Sequence, residues 1–322
     1  MEELRTDQIE LADPPAQAPD ESVVPAPDGP AAPAAEIHGP ATVTPSGQET
    51  CSTCGGATAA DTGGAASPAY VYALGRVEAR FPTLGVEKEF VQVAGRTDTA
   101  GLTDRETLRA VLGRPEHRYI ARQLCWVFTV AGLETYVLRP RDPADWALLV
   151  EAVRSTPDPG DVDVVIGLRG PTVSPELCNG LMVPVVAFDQ LYSFDRKTLI
   201  DSLPCPEDAD PERFRATADQ LFDRVIQLAD NAGSTDEHRA INYLAVRYPA
   251  IYSRTTEAFG AQQSLTGVEV RPSRLARTRM IVNVVFSYTG RETDVTEKYF
   301  VRVDVTEEFP FLVTRLQPYY DR

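Results

Sequence analysis

In CSTCGG, residues 51–56, two cysteines stand with two residues between them. That spacing suits either a bound metal or a dithiol exchange. Two thiolates so placed can hold one Zn²⁺ from a tight turn, and Gly55-Gly56 leaves the backbone free to make that turn. A thioredoxin-type exchange site predicts a strand just before the pair and a helix just after it. Pro/Ala-rich text precedes it and Gly-Gly-Ala-Thr follows, so neither is expected. A free surface pair is the plainer alternative, and structural zinc is the favoured expectation. A closed tetrahedral site needs two further ligands. The chain offers Cys125, Cys178 and Cys205, with His38, His117 and His238. Cys178 lies in SPELCNGLMVP, whose Asn-Gly predicts a turn of the kind metal knuckles use. Cys125 opens an apolar run, where a buried thiol packing as a small hydrophobe is equally natural. Cys205 sits between two prolines in LPCPED, in an expected loop. The expected zinc set is therefore Cys51, Cys54, Cys125 and Cys178, with Cys205 in reserve.

Other charged clusters are better explained by local structure. DEHR (236–239) places His238 beside two carboxylates, which could orient a general base, but first-turn acids also favour a helix dipole. DPADW (142–146) and FDRKT (194–198) read as helix starts with a capping Asp. The charges of RVEARF and GVEKEF could line a groove and read equally as solvated faces. RLARTR (274–279) is a basic cluster able to meet an acidic peptide, or simply an exposed loop. There is no GxSxG, P-loop, HExxH or glycine-rich dinucleotide fingerprint, so no motif establishes an enzyme.

The elements that must position these residues differ along the chain. The formal charge is -16 over 322 residues. Residues 1–66 hold eleven carboxylates against Arg5 alone, about -10, which leaves about -6 for the rest. No whole-chain basic face invites nucleic acid. No apolar run is long enough for a bilayer, and the acidic start MEELRTDQIELADPP is not a secretory signal. A cytoplasmic protein is expected, with its cysteines as ligands or buried thiols rather than disulfides. Residues 1–50 are Pro/Ala-rich and almost free of aromatics, which predicts a disordered acidic arm. Residues 51–67 form the cysteine element and a Gly/Ala linker, and one domain is expected over 68–322.

Within that domain, YVYALGRVEARF (70–81) reads as a strand and 83–95 as a helix ending at Gly95. Thr103 with Glu106 makes a capping box for a helix through Leu112. CWVFTVAGLETYVL (125–138) predicts two strands joined at Ala131-Gly132, and 144–154 an amphipathic helix. VDVVIGLRG (162–170) and VPVVAFDQ (183–190) suit buried strands. Helices follow over 211–233 and 234–249, with apolar residues at three- and four-residue intervals. Segments 280–289 and 296–306 alternate as an antiparallel hairpin, Tyr299, Val301, Val303 and Val305 on one face and Lys298, Arg302 and Asp304 on the other. The expected class is α+β: mixed helices and antiparallel hairpins in a single domain.

Several stretches together resemble a known family. They are YVYALGRVEARFPTLGVEKEF, RYIARQLCWVFTVAGLETYVLRPRDPADW, DVDVVIGLRGP, LCNGLMVPVVAFDQLYSFDR, NAGSTDEHRAINYLAVRYPAIY and the run from Val270 to Val313. The likeness, over 68–322, is to the C-terminal domain of cyanobactin maturation proteases of the PatA/PatG type, and CSTCGG fits its leading edge. In that family the domain is appended to a subtilisin-like protease that processes ribosomally made precursor peptides. This chain has no such protease motifs, so proteolysis and macrocyclisation do not carry over. The resemblance implies an accessory domain in peptide natural-product maturation, and its cysteine element suggests zinc at Cys51 and Cys54. The leading expectation is a non-catalytic, zinc-braced module that binds a precursor peptide or a peptide-modifying enzyme. A zinc- or cysteine-dependent enzyme and an oligomerisation scaffold, such as a homodimer, are the alternatives.

Overall fold

A computed structural model of the chain describes residues 69–97, 99–207, 209–226, 230–273 and 278–320. The expected arm and linker, Cys51, Cys54 and His38, and residues 274–277 of the basic cluster lie outside the described residues.

The first half curls five strands into a closed barrel: β1 (Tyr70–Arg80), β2 (Cys125–Val130), β3 (Leu133–Pro140), β4 (Asp161–Thr172) and β5 (Pro184–Asp195). Their order around the barrel is β1-β2-β3-β5-β4, with β4 returning to β1. Only β3 and β5 run parallel. The β2–β3 turn is Ala131-Gly132, as the sequence predicts, and both residues have positive φ (50° and 82°). That left-handed pair matches the twist of a two-residue hairpin. Helices α1 (Leu84–Ala94), α2 (Asp104–Leu112), α3 (Arg118–Gln123) and α4 (Trp146–Ala152) pack with the barrel. Phe90, Leu112, Ile120 and Leu149 join Val71, Trp126, Phe128 and Phe188 in one core. The capping box at Thr103 and Glu106 forms as expected.

The second half adds α5 (Arg196–Asp201), α6 (Pro211–Ile226), α7 (Asp236–Arg247) and α8 (Ala250–Gly260), then an antiparallel sheet. Its strands are β6 (Gln263–Pro272), β7 (Ile281–Gly290), β8 (Thr296–Asp304), β9 (Phe311–Leu312) and β10 (Gln317–Pro318). The order is β10-β8-β7-β6, with β9 also on β8. The alternation read in 296–306 holds: Tyr299, Val301, Val303 and Val305 face the helices. The class is α+β. Five elements escape the sequence reading: α3, α8, β6 and the two-residue strands β9 and β10. Thr255, Thr256 and Ala258 break up the apolar stripe of α8. QSLTGVEVRP carries a bulge between Leu265 and Gly267 that breaks the period of two.

Strand β1 is where the halves meet. Val71, Ala73 and Val77 belong to the barrel core. Tyr72 and Leu74 belong to the other, with Phe222, Leu244 and Phe286. Both faces are buried, as the Val- and Tyr-rich sequence requires. The backbone of β1 is tied to the loop between α6 and α7. Tyr72 N donates to Gly233 O at 2.8 Å. Asn242 Nδ2 donates to Tyr72 O at 2.8 Å, and Asn242 pairs reciprocally with Asn231 at 2.8 and 3.1 Å. Asn231 also donates to Val225 O. Gly233 has φ 72°, and a Cβ there would stand 2.3 Å from Tyr72 O. Only glycine fits that approach.

A second fastening is Arg239, 3% exposed. Its guanidinium donates to the carbonyls of Val305 and Glu307 and pairs with Asp236, lying 5.1 Å from the centre of the Tyr70 ring. It thereby joins α7, β1 and the segment after β8.

Because Asn242 is wholly buried, Asn242→Ala takes the donor from Asn231 Oδ1 and from Tyr72 O, while Asn231 Nδ2 keeps Val225 O. A loss of roughly 3 kcal/mol is expected from the unpaired polar groups together with the cavity. Urea denaturation would read it, and Gly233→Ala should destabilise in the same direction.

Candidate functional site

The cysteines come first. Cys125 and Cys178 are joined as a disulfide, with Cα atoms 5.4 Å apart. Both are buried, among Val127, Val137 and Val173. This corrects the expectation that the cysteines stay unpaired thiols. The pairing follows from the tertiary path. After β4 the chain makes a single 3₁₀ turn, Pro175–Leu177, and reverses through Asn179 (φ 49°) and Gly180 (φ 87°). The Asn-Gly turn is thus present where the sequence predicts it, and it brings Cys178 to the first residue of β2. The two are 53 positions apart in sequence. Cys205 is exposed and free. Among the described residues no group of three or more His, Cys, Asp and Glu is placed to hold a metal.

The expected helix starts are confirmed. Asp142 accepts from Ala144 N at 2.7 Å and Asp195 from Thr198 N at 3.0 Å, while Thr235 caps α7. His238 sits in the first turn of α7. Burial lowers its pKa, and among the described residues its enclosed Nδ1 meets no hydrogen-bond partner. His117 Nδ1 lies 3.0 Å from Val111 O, in helix-end packing.

Two cavities flank Arg196, of about 470 Å³ and about 360 Å³. Arg196 is held by Asp219 and Asp223 and stands over the Phe222 ring. Glu78 of RVEARF does line the smaller cavity, while Lys88 and Glu89 of GVEKEF line neither. No His, Cys or Ser lines either one. The buried carboxyl of Asp163 accepts from Val77 N at 2.7 Å and from the Ser193 hydroxyl. Its role is to fasten β1, β4 and β5; burial raises its pKa and those two donors oppose the rise.

What the second sheet leaves open is more informative. Among the described residues β6 pairs with β7 alone. Ser273 N donates to Ile281 O at 2.7 Å, and Arg291 N to Gln262 O at 2.9 Å. Hydrogen-bonded and non-bonded pairs alternate along an antiparallel ladder. With Glu269 opposite Val285 and Arg271 opposite Asn283, those two residues turn their amides to β7. Val268 and Val270 therefore turn theirs outward, at an open edge. On the other side β8 is covered, by β9 at Val303 and Asp304 and by β10 at Tyr299 and Phe300. The hairpin 280–306 read from the sequence thus lies inside the sheet, and among the described residues the edge belongs to β6, which escaped the sequence reading.

A family match falls on this region. Residues 208–319 match the family described as PatG C-terminal. They span α6 to α8 and the whole of the second sheet. The chain carries a PatG C-terminal-type domain. A solved structure titled "PatG Domain of Unknown Function" has the same fold, with a TM-score of 0.62 over 78% of this chain and 98% of that one, at 21% identity. No curated protein matches the chain. No helix among the described residues is long and apolar enough to cross a membrane.

A carboxyl pair beside the C-terminal segment yields a pH effect. Burial, then the hydrogen bond and charge of Asp189, push Glu308 up to about 7, against Arg141 and Arg239. Arg141 bridges the two carboxyls. The folded state then keeps a proton that an unfolded Glu, near about 4.3, releases. Folding stability attributable to this pair should fall as pH rises from about 5 to about 7 and level off above that. Thermal melts across that range should show a shallower fall for Glu308→Gln than for the unaltered protein.

Proposed function

We propose that this PatG C-terminal-type domain is a non-catalytic accessory module that binds an extended peptide by adding it as a strand along β6. The occupant is a ribosomally made precursor peptide, or an extended segment of an enzyme that modifies one, met in the cytoplasm. The observation that carries the reading is the open edge of β6, where Val268 and Val270 direct amides and carbonyls away from β7. Strand addition supplies main-chain hydrogen bonds for affinity and alternate side-chain contacts for selectivity.

Fluorescence titration of the full chain with labelled peptides of about ten residues and alternating β-branched pattern tests this. Val270→Pro removes one outward amide at an edge position where proline is tolerated. Binding weaker by at least about tenfold is expected in that variant, roughly the worth of one well-made hydrogen bond. Equal binding by the variant, or none by either, would sink the reading.

The second element of the proposal is a structural zinc held by Cys51, Cys54, Cys125 and Cys178. It is favoured by the adjacency of Cys125 and Cys178, which supplies two of four donors in the reduced protein. As a disulfide the same two sulfurs do not ligate. Metal analysis and thiol titration of protein purified under reducing conditions without chelator separate the states. One zinc per chain, lost with Cys178→Ser, supports the metal. Absence of zinc, with three titratable thiols of five after air oxidation, supports the disulfide alone.

A further inference from the structure

Another cavity, of about 450 Å³, lies between α6, α8 and the start of β6. Leu221 of α6, Phe259 of α8 and Leu265 of β6 give it apolar walls. Gln220 and Arg224 also line it and are exposed, so it opens to solvent. Among the described residues none from β7 or β8 lines it, which puts it on the open-edge side of the sheet. Three hydroxyls reach its wall, and two of them are engaged. Thr255 Oγ1 donates to Ile251 O at 2.7 Å and lies 2.9 Å from the Tyr288 hydroxyl. Ser264 Oγ accepts from Arg291 Nε at 2.9 Å. The third belongs to Thr217, which is 4% exposed and meets no hydrogen-bond partner among the described residues. A buried hydroxyl left unpaired costs free energy, and an entering polar group that pairs with it recovers that cost.

We infer that this cavity takes one aromatic side chain with a hydrogen-bonding tip, a phenol or an indole, from the peptide added along β6. The tip meets the Thr217 hydroxyl and the ring lies among Leu221, Phe259 and Leu265. The inference rests on the strand-addition reading above and names the pocket that gives it selectivity. A strand added beside β6 runs about 4.8 Å from it and turns every second side chain to the helix side of the sheet. Leu265 lies roughly 10 Å along β6 from Val268, so a strand paired at Val268 and Val270 and continuing toward Gln263 passes the cavity. The bulge between Leu265 and Gly267 falls at that point, where such irregularities re-aim side chains toward a site. A small aliphatic side chain would leave most of the space unfilled, and a charged one would exchange water for apolar walls. Asp223, which also lines the cavity, is already paired with Arg196.

Labelled peptides of one alternating β-branched pattern, carrying Tyr, Trp, Phe or Ala at each alternate position in turn, form the test on the full chain. At one position the better of the Tyr and Trp peptides is expected to bind about fivefold more tightly than the Phe peptide, and the Phe peptide about tenfold more tightly than the Ala peptide. Thr217→Val should erase the preference over Phe while leaving the Phe peptide unchanged. In urea denaturation the same variant should be no less stable than the unaltered protein, because no internal hydrogen bond is lost. Val270→Pro should weaken all the peptides together. Equal affinity for all four peptides at every position, with Val270→Pro still effective, overturns the pocket and leaves strand addition standing. A clear loss of stability in Thr217→Val gives its hydroxyl a structural bond and also overturns the pocket. A preference erased by Thr217→Val while Val270→Pro changes nothing supports the pocket and overturns strand addition. No binding by any peptide overturns both.

Discussion

The reciprocal amide pair of Asn231 and Asn242 is the joint on which the two halves depend. Each amide gives and takes one hydrogen bond with the other, and the donors left over reach Val225 O and Tyr72 O. The end of α6, the turn at Gly233, the middle of α7 and the backbone of β1 are thereby fixed to one another. Burying two amides costs free energy unless every group is paired, and here the pairing is supplied by elements from both halves. Loosening any one of them exposes the others, so barrel and second sheet should lose structure together. Arg239 repeats the device in the first turn of α7, holding the carbonyls that follow β8.

That rigidity explains why the second sheet can present an edge. A lone hairpin is marginal in water. Here the sheet has its inner face packed on α6 to α8 and one margin covered by β9 and β10. The remaining margin, β6, carries the features natural proteins use to discourage indiscriminate pairing: a bulge at Leu265–Gly267, charges at Glu269 and Arg271, and Pro272 at its end. Among the described residues, a short stretch around Val268 and Val270 stays open. A brief charged edge on a firmly held sheet suits selective, reversible pairing better than aggregation.

The cysteines show where composition misleads. From the expected compartment, five thiols read as ligands or buried thiols, yet Cys125 and Cys178 meet as a pair. The turn at Asn179-Gly180 was legible because positive φ has a sequence signature. The meeting was not, because it depends on a connection crossing the outside of β2 and β3. The open edge was hidden for a related reason. The hairpin 280–306 has clean alternation and therefore attracts attention, while β6 is interrupted by its bulge and escaped notice.

Local rules determined much of this protein from sequence alone. Strand and helix periods, the Thr103–Glu106 box, the caps at Asp142, Asp195 and Thr235, the Ala131-Gly132 turn and the α+β class all follow from contacts within a few residues. Tertiary structure alone decided that β1 lies between two cores, that the strands close into a barrel, that Cys125 faces Cys178, and that β6 rather than the β7–β8 hairpin is the open edge. Each of those depends on which distant segments pack together. That choice is set by how whole faces are buried and how buried polar groups are satisfied, and no window of a dozen residues contains it.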